Sequence, residues 1–411
     1  MKYILMNKNT PVVKVRVNKQ NNEITKVLDK YSEDHLPVGV LIDGQLHTEN
    51  LSVWWRSRSI PASREYLMQG LACLGFTEHT SSSSELLSRC FGLSLSDQYW
   101  MKPENSCLSW KDINFFTNSF SEDIGKALFD NQYVNNADFN SPDNTSDGIM
   151  KKKWKIINGK RCLLKSGTGT VQQEAFNEVI ANEMCKALNI QNYVPYMLEL
   201  TAENAISISK NFIDENTELV SAYYVMQTKQ RDNCTSYYDH YLDCCSELGL
   251  DVREQTDRQI ILDYLMCNTD RHFGNFGIIR NVENLSFTKA APIFDNGTSL
   301  FCTKTVAYMN NFDLERCPSK PFRRYHEEQI KLVGNADFIE FGRLEQVSHK
   351  IKEIIGINDF IDEKRTNALS DVFSERVKML DNALCKGYYQ GITPDSEKSH
   401  VIYPKITGGR K

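Results

Sequence analysis

The feature that most constrains the fold is a two-residue turn near the middle of the chain. Asn158-Gly159 is the strongest short signal for a type I′ hairpin turn, and it separates two strand-like segments, residues 150–157 and 161–165. Residues 172–188 follow with apolar side chains at i, i+3 and i+4 spacing, which predicts an amphipathic helix. Further strands are predicted within residues 194–211. The sequence therefore predicts a small β-rich unit with one helix.

Composition excludes several classes of protein. The 411 residues are 41% hydrophobic and 25% charged, with a net charge of −5, so a sizeable core is expected and direct nucleic-acid binding is not. No apolar run approaches the roughly 18 residues of a membrane helix, and the apolar stretch at the N-terminus is too short for a secretory signal. The twelve cysteines are scattered, which is typical of reduced thiols. We expect a cytoplasmic protein that does not associate with membranes.

Beyond about residue 214 the pattern becomes helical. Residues 259–267 are apolar on nearly all sides, which predicts a buried helix. Two short strands are predicted at 276–279 and 291–294, and helices cover 338–355 and 368–384. The overall expectation is an α+β fold with a β-rich N-terminal lobe and a helical C-terminal lobe.

Three polar segments occur in order along this pattern. The first is the turn-rich stretch 143–148, which precedes the hairpin and its strand-end lysine, Lys165. The second, Asn-Thr-Asp-Arg-His-Phe-Gly-Asn at 268–275, directly follows the buried helix. The third, Ile-Phe-Asp-Asn-Gly, occupies 293–297. Phosphoryl transfer needs groups that hold phosphates, groups that hold Mg²⁺ and a carboxylate that orients a hydroxyl, and these segments contain all three.

The spacing of the second and third segments matches that of protein kinases. Asp270 and Asn275 form the pattern D-x-x-x-x-N, and Asp295-Asn-Gly297 stands where a kinase has its D-x-G metal aspartate. Each motif alone occurs by chance in many chains. Their order and context together indicate a protein-kinase-like, two-lobed fold that uses ATP and Mg²⁺.

The same stretches resemble the HipA-like serine/threonine kinases of bacterial toxin–antitoxin systems. The resemblance rests on N-T-D-R-H-F-G-N, P-I-F-D-N-G, N-T-S-D-G and the helix K-S-G…Q-E-A-F-N-E-V-I-A-N-E, and it covers about residues 140–380. Segments of the first 130 residues, L-S-V-W-W-R-S-R-S-I-P-A-S-R and S-D-Q-Y-W-M-K-P, look like an uncharacterised, excisionase-labelled subgroup of that family.

The resemblance implies roles for individual residues. Asp270 would be the catalytic base, and His272 would shape the catalytic loop rather than act as a second base. Asn275 and Asp295 would hold Mg²⁺, and Lys165 would contact the nucleotide phosphates.

The resemblance also implies a flexible phosphate loop at Ser146, Asp147 and Gly148. In this family the loop can carry an autophosphorylated serine, for which Ser146 is the candidate. The better-known toxins have S-G-A-Q-x-K where this chain has S-D-G-I-M-K, so the register of the loop is open.

Two further expectations concern the partner acid of Lys165 and the residues that contact adenine. Glu174 and Glu178 lie one turn apart on the predicted helix, and Glu178 is the expected partner of Lys165. A hinge that contacts adenine is expected at Ser209, Lys210 and Asn211.

The predicted organisation is an accessory region at 1–130, a kinase small lobe at 131–212 and a helical lobe at 213–400. The predicted function is transfer of the ATP γ-phosphate to a hydroxyl of a protein substrate, with a small DNA-binding antitoxin as a partner. Two alternatives stay open: a small-molecule phosphotransferase with the same core, and a nucleotide-binding module without catalysis. The joint presence of Asp270, Asn275 and Asp295 argues against the second alternative.

Overall fold

The computed structural model describes residues 1–42, 44–76, 82–357 and 359–385. Within them the strands are β1 (Lys2–Asn7), β2 (Thr10–Val17), β3 (Ile24–Lys30), β4 (Leu41–Ile42), β5 (Gln45–Leu46), β6 (Tyr99–Pro103), β7 (Lys152–Ile157), β8 (Lys160–Ser166), β9 (Tyr196–Leu200), β10 (Ala205–Lys210), β11 (Thr217–Ser221), β12 (Gly277–Asn281) and β13 (Phe287–Ala290). The α-helices are α1 (Thr48–Arg56), α2 (Leu67–Cys73), α3 (Ser82–Arg89), α4 (Trp110–Ile113), α5 (Asp123–Leu128), α6 (Gln173–Ala187), α7 (Ala222–Val225), α8 (Tyr237–Glu247), α9 (Arg253–Met266), α10 (Val306–Asn311), α11 (His326–Gln329), α12 (Phe341–Ile355) and α13 (Glu363–Cys385).

Three antiparallel sheets organise the chain. The N-terminal sheet has the order β3-β2-β1-β6, the second has β7-β8-β10-β9, and the third has β11-β12-β13, while β4 and β5 form a separate pair. Helix α6 packs across the second sheet. The largest hydrophobic cluster joins α6 to α8, α9, α12 and α13. The fold is thus two-lobed, with a β-rich part first and a helical part second, as predicted.

The central hairpin is confirmed. Asn158 and Gly159 have φ values of 50° and 75°, the left-handed pair that a type I′ turn requires. Pairing runs outward from Ile157 opposite Lys160 to Lys152 opposite Lys165. Because paired residues of an antiparallel ladder lie on one face of the sheet, the hairpin brings these two lysines together.

The second strand after the loop 268–275 differs from the prediction. The loop 281–286 does connect two paired strands, but the returning strand is Phe287–Ala290 and not 291–294. Pro292 lacks a backbone N–H and fits poorly into a ladder. The apolar character of Ile293 and Phe294 instead reflects packing, since each contacts a different hydrophobic cluster.

Helix α9 sets the position of the next segment. It is buried along most of its length, as predicted, and ends at Met266. Cys267 has φ 48°, a left-handed conformation that commonly ends a helix. The chain therefore leaves the core abruptly and enters the loop 268–275.

The N-terminal region packs directly on the rest of the molecule. One hydrophobic cluster combines Trp100, Trp110 and Phe115 with Ile213 and Ile279. The division of the chain at residues 130 and 212 stays a prediction, and the predicted end of the last part at residue 400 lies outside the described residues. No helix in the described ranges has the length and apolar character needed to cross a membrane.

Candidate active site

Lys165 lies at the centre of a buried cluster of charges. Its Nζ donates hydrogen bonds to Glu178 Oε1 at 3.0 Å and to Asp295 Oδ1 at 2.6 Å. Strand β8, helix α6 and the segment after β13 each contribute one of the three side chains. The Lys165 side chain is 5% exposed and that of Glu178 is fully buried, so these charges compensate one another away from water.

The electrostatics of the cluster keep both Lys165 and Asp295 charged. Burial alone would lower the pKa of Lys165, but Asp295 and Glu178 raise it well above its usual value. Burial alone would raise the pKa of Asp295, but Lys165 and Lys152 hold it below its usual range. Burial raises the pKa of Glu178, which Lys165 partly offsets. Asp295 is therefore an ionised carboxylate beside a positive charge.

The two acids of helix α6 have different partners. Glu178 bonds Lys165, and its Oε2 accepts the backbone N–H of Asn296 at 2.8 Å. Glu174 instead accepts the backbone N–H of Thr168 at 3.0 Å. The helix thus holds Lys165 and the Asp295 segment through Glu178, and the end of the hairpin through Glu174.

The loop 268–275 is held by its own side chains. Asn268 Oδ1 accepts the Asp270 N–H at 2.9 Å, and Asn275 Nδ2 donates to the Asp270 carbonyl at 3.1 Å. His272 Nδ1 accepts the Gly274 N–H at 3.0 Å. This contact is local to the loop and fits a loop-shaping role for the imidazole.

Arg271, which the sequence analysis missed, connects the two halves of the site. Its guanidinium is fully buried and pairs with Asp263 of α9, with an Nε to Oδ2 distance of 2.9 Å. Nη1 donates to the Asn275 carbonyl at 3.1 Å and also to the Phe294 carbonyl. One nitrogen therefore bridges the backbone at the end of the loop 268–275 and the backbone of Phe294, the residue before Asp295.

A second missed residue contacts Asp270. Lys320 Nζ donates to Asp270 Oδ1 at 2.8 Å, with side-chain exposures of 47% and 36%. The pair is open to solvent, so it contributes little to stability. It does place a cation beside the carboxylate that is expected to accept a proton.

The predicted phosphate-loop residues lie against the N-terminal region. Ser146 is buried, and its Oγ accepts from Arg64 Nη1 at 2.9 Å and donates to the Asp143 carbonyl at 3.1 Å. Gly148 has φ 96°, a conformation that favours glycine. Asp147 is exposed between them.

Lys152 joins the cluster from the neighbouring strand. It lies opposite Lys165 in the hairpin. Its pKa is lowered to about 8, chiefly by burial and also by the Lys165 ammonium, while Asp295 acts in the opposite direction. Strand alternation could have revealed this residue: of the three lysines at 151–153, counting outward from the Asn158-Gly159 turn places only the middle one opposite Lys165.

The predicted hinge residues lie on or beside β10. Ser209 is buried and pairs with Leu163, on the same sheet face as Lys165. Lys210 pairs with Cys162, so it lies on the other face, and it is exposed. Asn211 Nδ2 donates to the Leu95 carbonyl at 2.9 Å. Ser209 therefore shares the sheet face of Lys165, whereas Lys210 does not.

The donors that Mg²⁺ would need are oxygen atoms of Asn275 and Asp295. Within the described residues no group of three or more His, Cys, Asp and Glu side chains forms a metal cage. Mg²⁺ at nucleotide sites is commonly held by one or two carboxylates together with substrate phosphates and water. An ionised Asp295, with Arg271 bonded to the backbone of both Asn275 and Phe294, fits that mode of binding.

Two solved structures are similar to this chain. A chain in the complex of the Shewanella oneidensis MR-1 toxin–antitoxin proteins HipA and HipB with their operator DNA is 11% identical, with a TM-score of 0.54, and the match covers 95% of this chain and all of that one. The Helicobacter pylori proinflammatory kinase CtkA is 17% identical, with a TM-score of 0.44, over 57% of this chain and 94% of that one. No protein-family model matches the sequence, and no curated protein does. The first similarity shows that the chain has a HipA-like kinase fold.

Proposed function

We propose that this chain, given its HipA-like fold, is an ATP- and Mg²⁺-dependent kinase that transfers the γ-phosphate of ATP to a serine or threonine hydroxyl of a protein. The observation that carries the proposal is the contact of Lys165 with both Glu178 and Asp295. A lysine paired with a helix glutamate and placed beside a metal aspartate is the arrangement that kinases use to hold phosphates. Three segments far apart in sequence contribute to it, which makes coincidence a poor explanation.

In this proposal each residue has a separate task. Lys165 and Lys152 bind the phosphates together with the loop at Ser146, Asp147 and Gly148. Asn275 and Asp295 hold Mg²⁺, which neutralises charge on the transferred group.

The remaining tasks concern the hydroxyl that accepts the phosphate and the adenine of the nucleotide. Asp270 orients the acceptor hydroxyl and takes its proton, while Ser209 lies where the adenine end of the nucleotide approaches β10. The proposal includes a small DNA-binding antitoxin as a partner, which the HipA–HipB–DNA complex supports by analogy. It also includes autophosphorylation of Ser146, which requires this serine to leave Arg64.

Incubation with labelled ATP and Mg²⁺, followed by mapping of the labelled residues, tests the function. Protein and small hydroxyl compounds should be offered as acceptors in parallel, so that the two kinds of phosphotransferase can be told apart. We expect label on serine or threonine of protein.

The Asp270→Asn variant tests the proposed base. It should keep nucleotide affinity near the wild-type value and lose phosphoryl transfer by about 10² to 10⁴-fold, because general-base catalysis acts in the transition state. Lys165→Ala should weaken both binding and transfer, because its charge contacts the phosphates in the ground state as well. Asp313→Asn, at an exposed carboxylate that pairs with Arg316, is the control. Wild-type transfer by Asp270→Asn would show that Asp270 is not the base.

A further inference from the structure

Arg64 lies outside the Lys165 cluster and belongs to the N-terminal region, between α1 and α2. Its side chain makes three hydrogen bonds, and all of them go to the phosphate loop. Nε donates to the Gly148 carbonyl at 3.0 Å, Nη1 donates to Ser146 Oγ at 2.9 Å, and Nη2 donates to the Ser146 carbonyl. The loop is therefore held by a residue some 80 positions earlier in the chain.

The charge of this arginine has no close counterion in the described part of the chain. Arg64 is 4% exposed, yet its hydrogen-bond acceptors are neutral oxygens, and among the described residues no carboxylate lies within ion-pair distance of it. The buried arginines Arg58 and Arg271 each have such a carboxylate, Asp97 and Asp263. Burial lowers the pKa of Arg64 to about 10, opposed only at longer range by Asp147 and Asp143. A buried cation without a counterion is costly, and it favours an anion nearby.

The three bonds also determine how the loop presents its backbone. In a trans peptide the C=O group and the following N–H group point in opposite directions. Because the carbonyls of Ser146 and Gly148 point at Arg64, the N–H groups of Asp147 and Ile149 point away from it. Backbone N–H groups presented in this manner are the donors with which a glycine-containing loop binds phosphate.

We propose that Arg64 is a positioning residue for the phosphate loop, so that the N-terminal region is a functional part of the nucleotide site. Arg64 orients the loop through Ser146 and Gly148, and its unneutralised charge raises the affinity of the loop for the phosphates of a nucleotide. This inference rests on the proposed ATP-dependent function, but its positioning element is testable without nucleotide.

Hydrogen–deuterium exchange of residues 144–152 in nucleotide-free protein tests the positioning. Arg64→Gln should increase exchange by at least about tenfold, because hydrogen bonds to a charged donor contribute about 1.5–3 kcal/mol. Arg56→Gln removes the same charge from an exposed position in the same region and should leave exchange unchanged. Unchanged exchange in Arg64→Gln would overturn the inference, whatever the affinity for ATP.

Titration with Mg-ATP and with adenosine tests the link to the nucleotide. We expect Arg64→Gln to bind Mg-ATP about tenfold more weakly and adenosine as the wild type does, because the lost charge acts on phosphates. Arg56→Gln should match the wild type for both. Equal weakening for adenosine would contradict the proposed electrostatic effect.

The exchange and titration experiments remain decisive if Arg64→Gln does not fold or if the wild-type protein binds no Mg-ATP. If Arg64→Gln does not fold, Arg64→Lys is used instead. Lysine keeps the charge but cannot make the three hydrogen bonds of the guanidinium. Exchange of the loop should therefore still rise, while the affinity for Mg-ATP should fall by less than the tenfold expected for Arg64→Gln. If the wild-type protein binds no Mg-ATP, the proposed function fails, and the exchange measurement still decides whether Arg64 positions the loop.

Discussion

Lys152 and Lys165 pair across the hairpin, and of the two only Lys152 has a lowered pKa. The charged groups near it are Lys165 and Arg64, which repel its proton, and Asp295 and Asp147, which attract it. The net effect of burial and these charges is a pKa of about 8, below the ordinary lysine value. At neutral pH Lys152 is therefore protonated, but it loses its charge well before Lys165 does.

The lowered pKa of Lys152 predicts that nucleotide binding depends on pH. A lowered pKa means that the protonated form is lost as pH rises through about 8, so the affinity for Mg-ATP should fall between about pH 7 and pH 9.5. Lys152→Met should bind more weakly at pH 7 and should lose this dependence. Binding titrations over the pH range provide the measurement.

The matched control for this prediction is the next residue along the strand. Lys153 points to the other face of the sheet and pairs with Asp130 at 2.7 Å. Lys153→Met should keep the wild-type affinity and its pH dependence. A flat wild-type profile, or the same profile in Lys152→Met, would contradict a role for Lys152 in binding phosphates.

At the scale of elements, Arg271 connects helix α9, the loop 268–275 and the segment 293–297, which together form the candidate site. It pairs with Asp263 of α9 and also bonds the backbone of Asn275 and Phe294 and the Asn296 side chain. The loop 268–275 therefore does not depend on its short local contacts alone. Its position relative to Asp295 is set by one buried guanidinium.

Removal of the Arg271 guanidinium should lower the free energy of unfolding substantially. Arg271→Met leaves Asp263 buried without its partner, and we expect a loss of about 3–5 kcal/mol in the free energy of unfolding. Arg343→Met breaks an exposed pair with Glu340 and should cost less than about 1 kcal/mol. Denaturant unfolding of both variants checks the difference. Similar stabilities would show that the Arg271 contacts contribute little.

The elements differ in how far the sequence predicts them. The hairpin and α6 are predicted because turn type and helical periodicity are local properties, and the order of motifs around Asp270 and Asp295 is visible in the sequence. The returning strand at Phe287–Ala290 is misplaced in the prediction because apolar residues that pack in a core look like strand residues.

The contacts of individual side chains are the part that local patterns do not reveal. Arg64, Arg271 and Lys320 are ordinary charged residues in the sequence, and their partners are set by tertiary packing. Arg64 and Ser146, for example, are 82 residues apart. No periodicity or turn signal carries that information.

At the scale of the whole molecule, the N-terminal region and the kinase lobes share buried contacts. Arg280 of β12 pairs with Glu218 of β11 and donates to Tyr99 OH of the N-terminal sheet at 2.7 Å. Gln98 Nε2 donates to the carbonyls of Asp214 and Thr217. Polar groups buried across a boundary need their partners on both sides, which couples the stability of the two parts.

We therefore expect a single cooperative unfolding transition. Trp100 is fully buried in the cluster that joins the two parts, and Trp100→Ala should lower the free energy of unfolding by about 3–5 kcal/mol. Limited proteolysis at increasing denaturant concentrations should show cleavage within residues 1–110 and within 213–385 at the same midpoint, shifted together in the variant. Separate midpoints would show that the parts unfold independently.

The distribution of tryptophans has an optical consequence. Four of the five, Trp54, Trp55, Trp100 and Trp110, are buried in the N-terminal region. Trp154 alone is partly exposed, and its backbone N–H donates to Asp143 at the base of the phosphate loop. Because it lies on β7 two residues after Lys152, on the same sheet face, its indole emission should respond to a change at the loop while the other four contribute a constant background. The chain thus contains an intrinsic fluorophore beside the candidate site, and acrylamide quenching can follow that site without any added label.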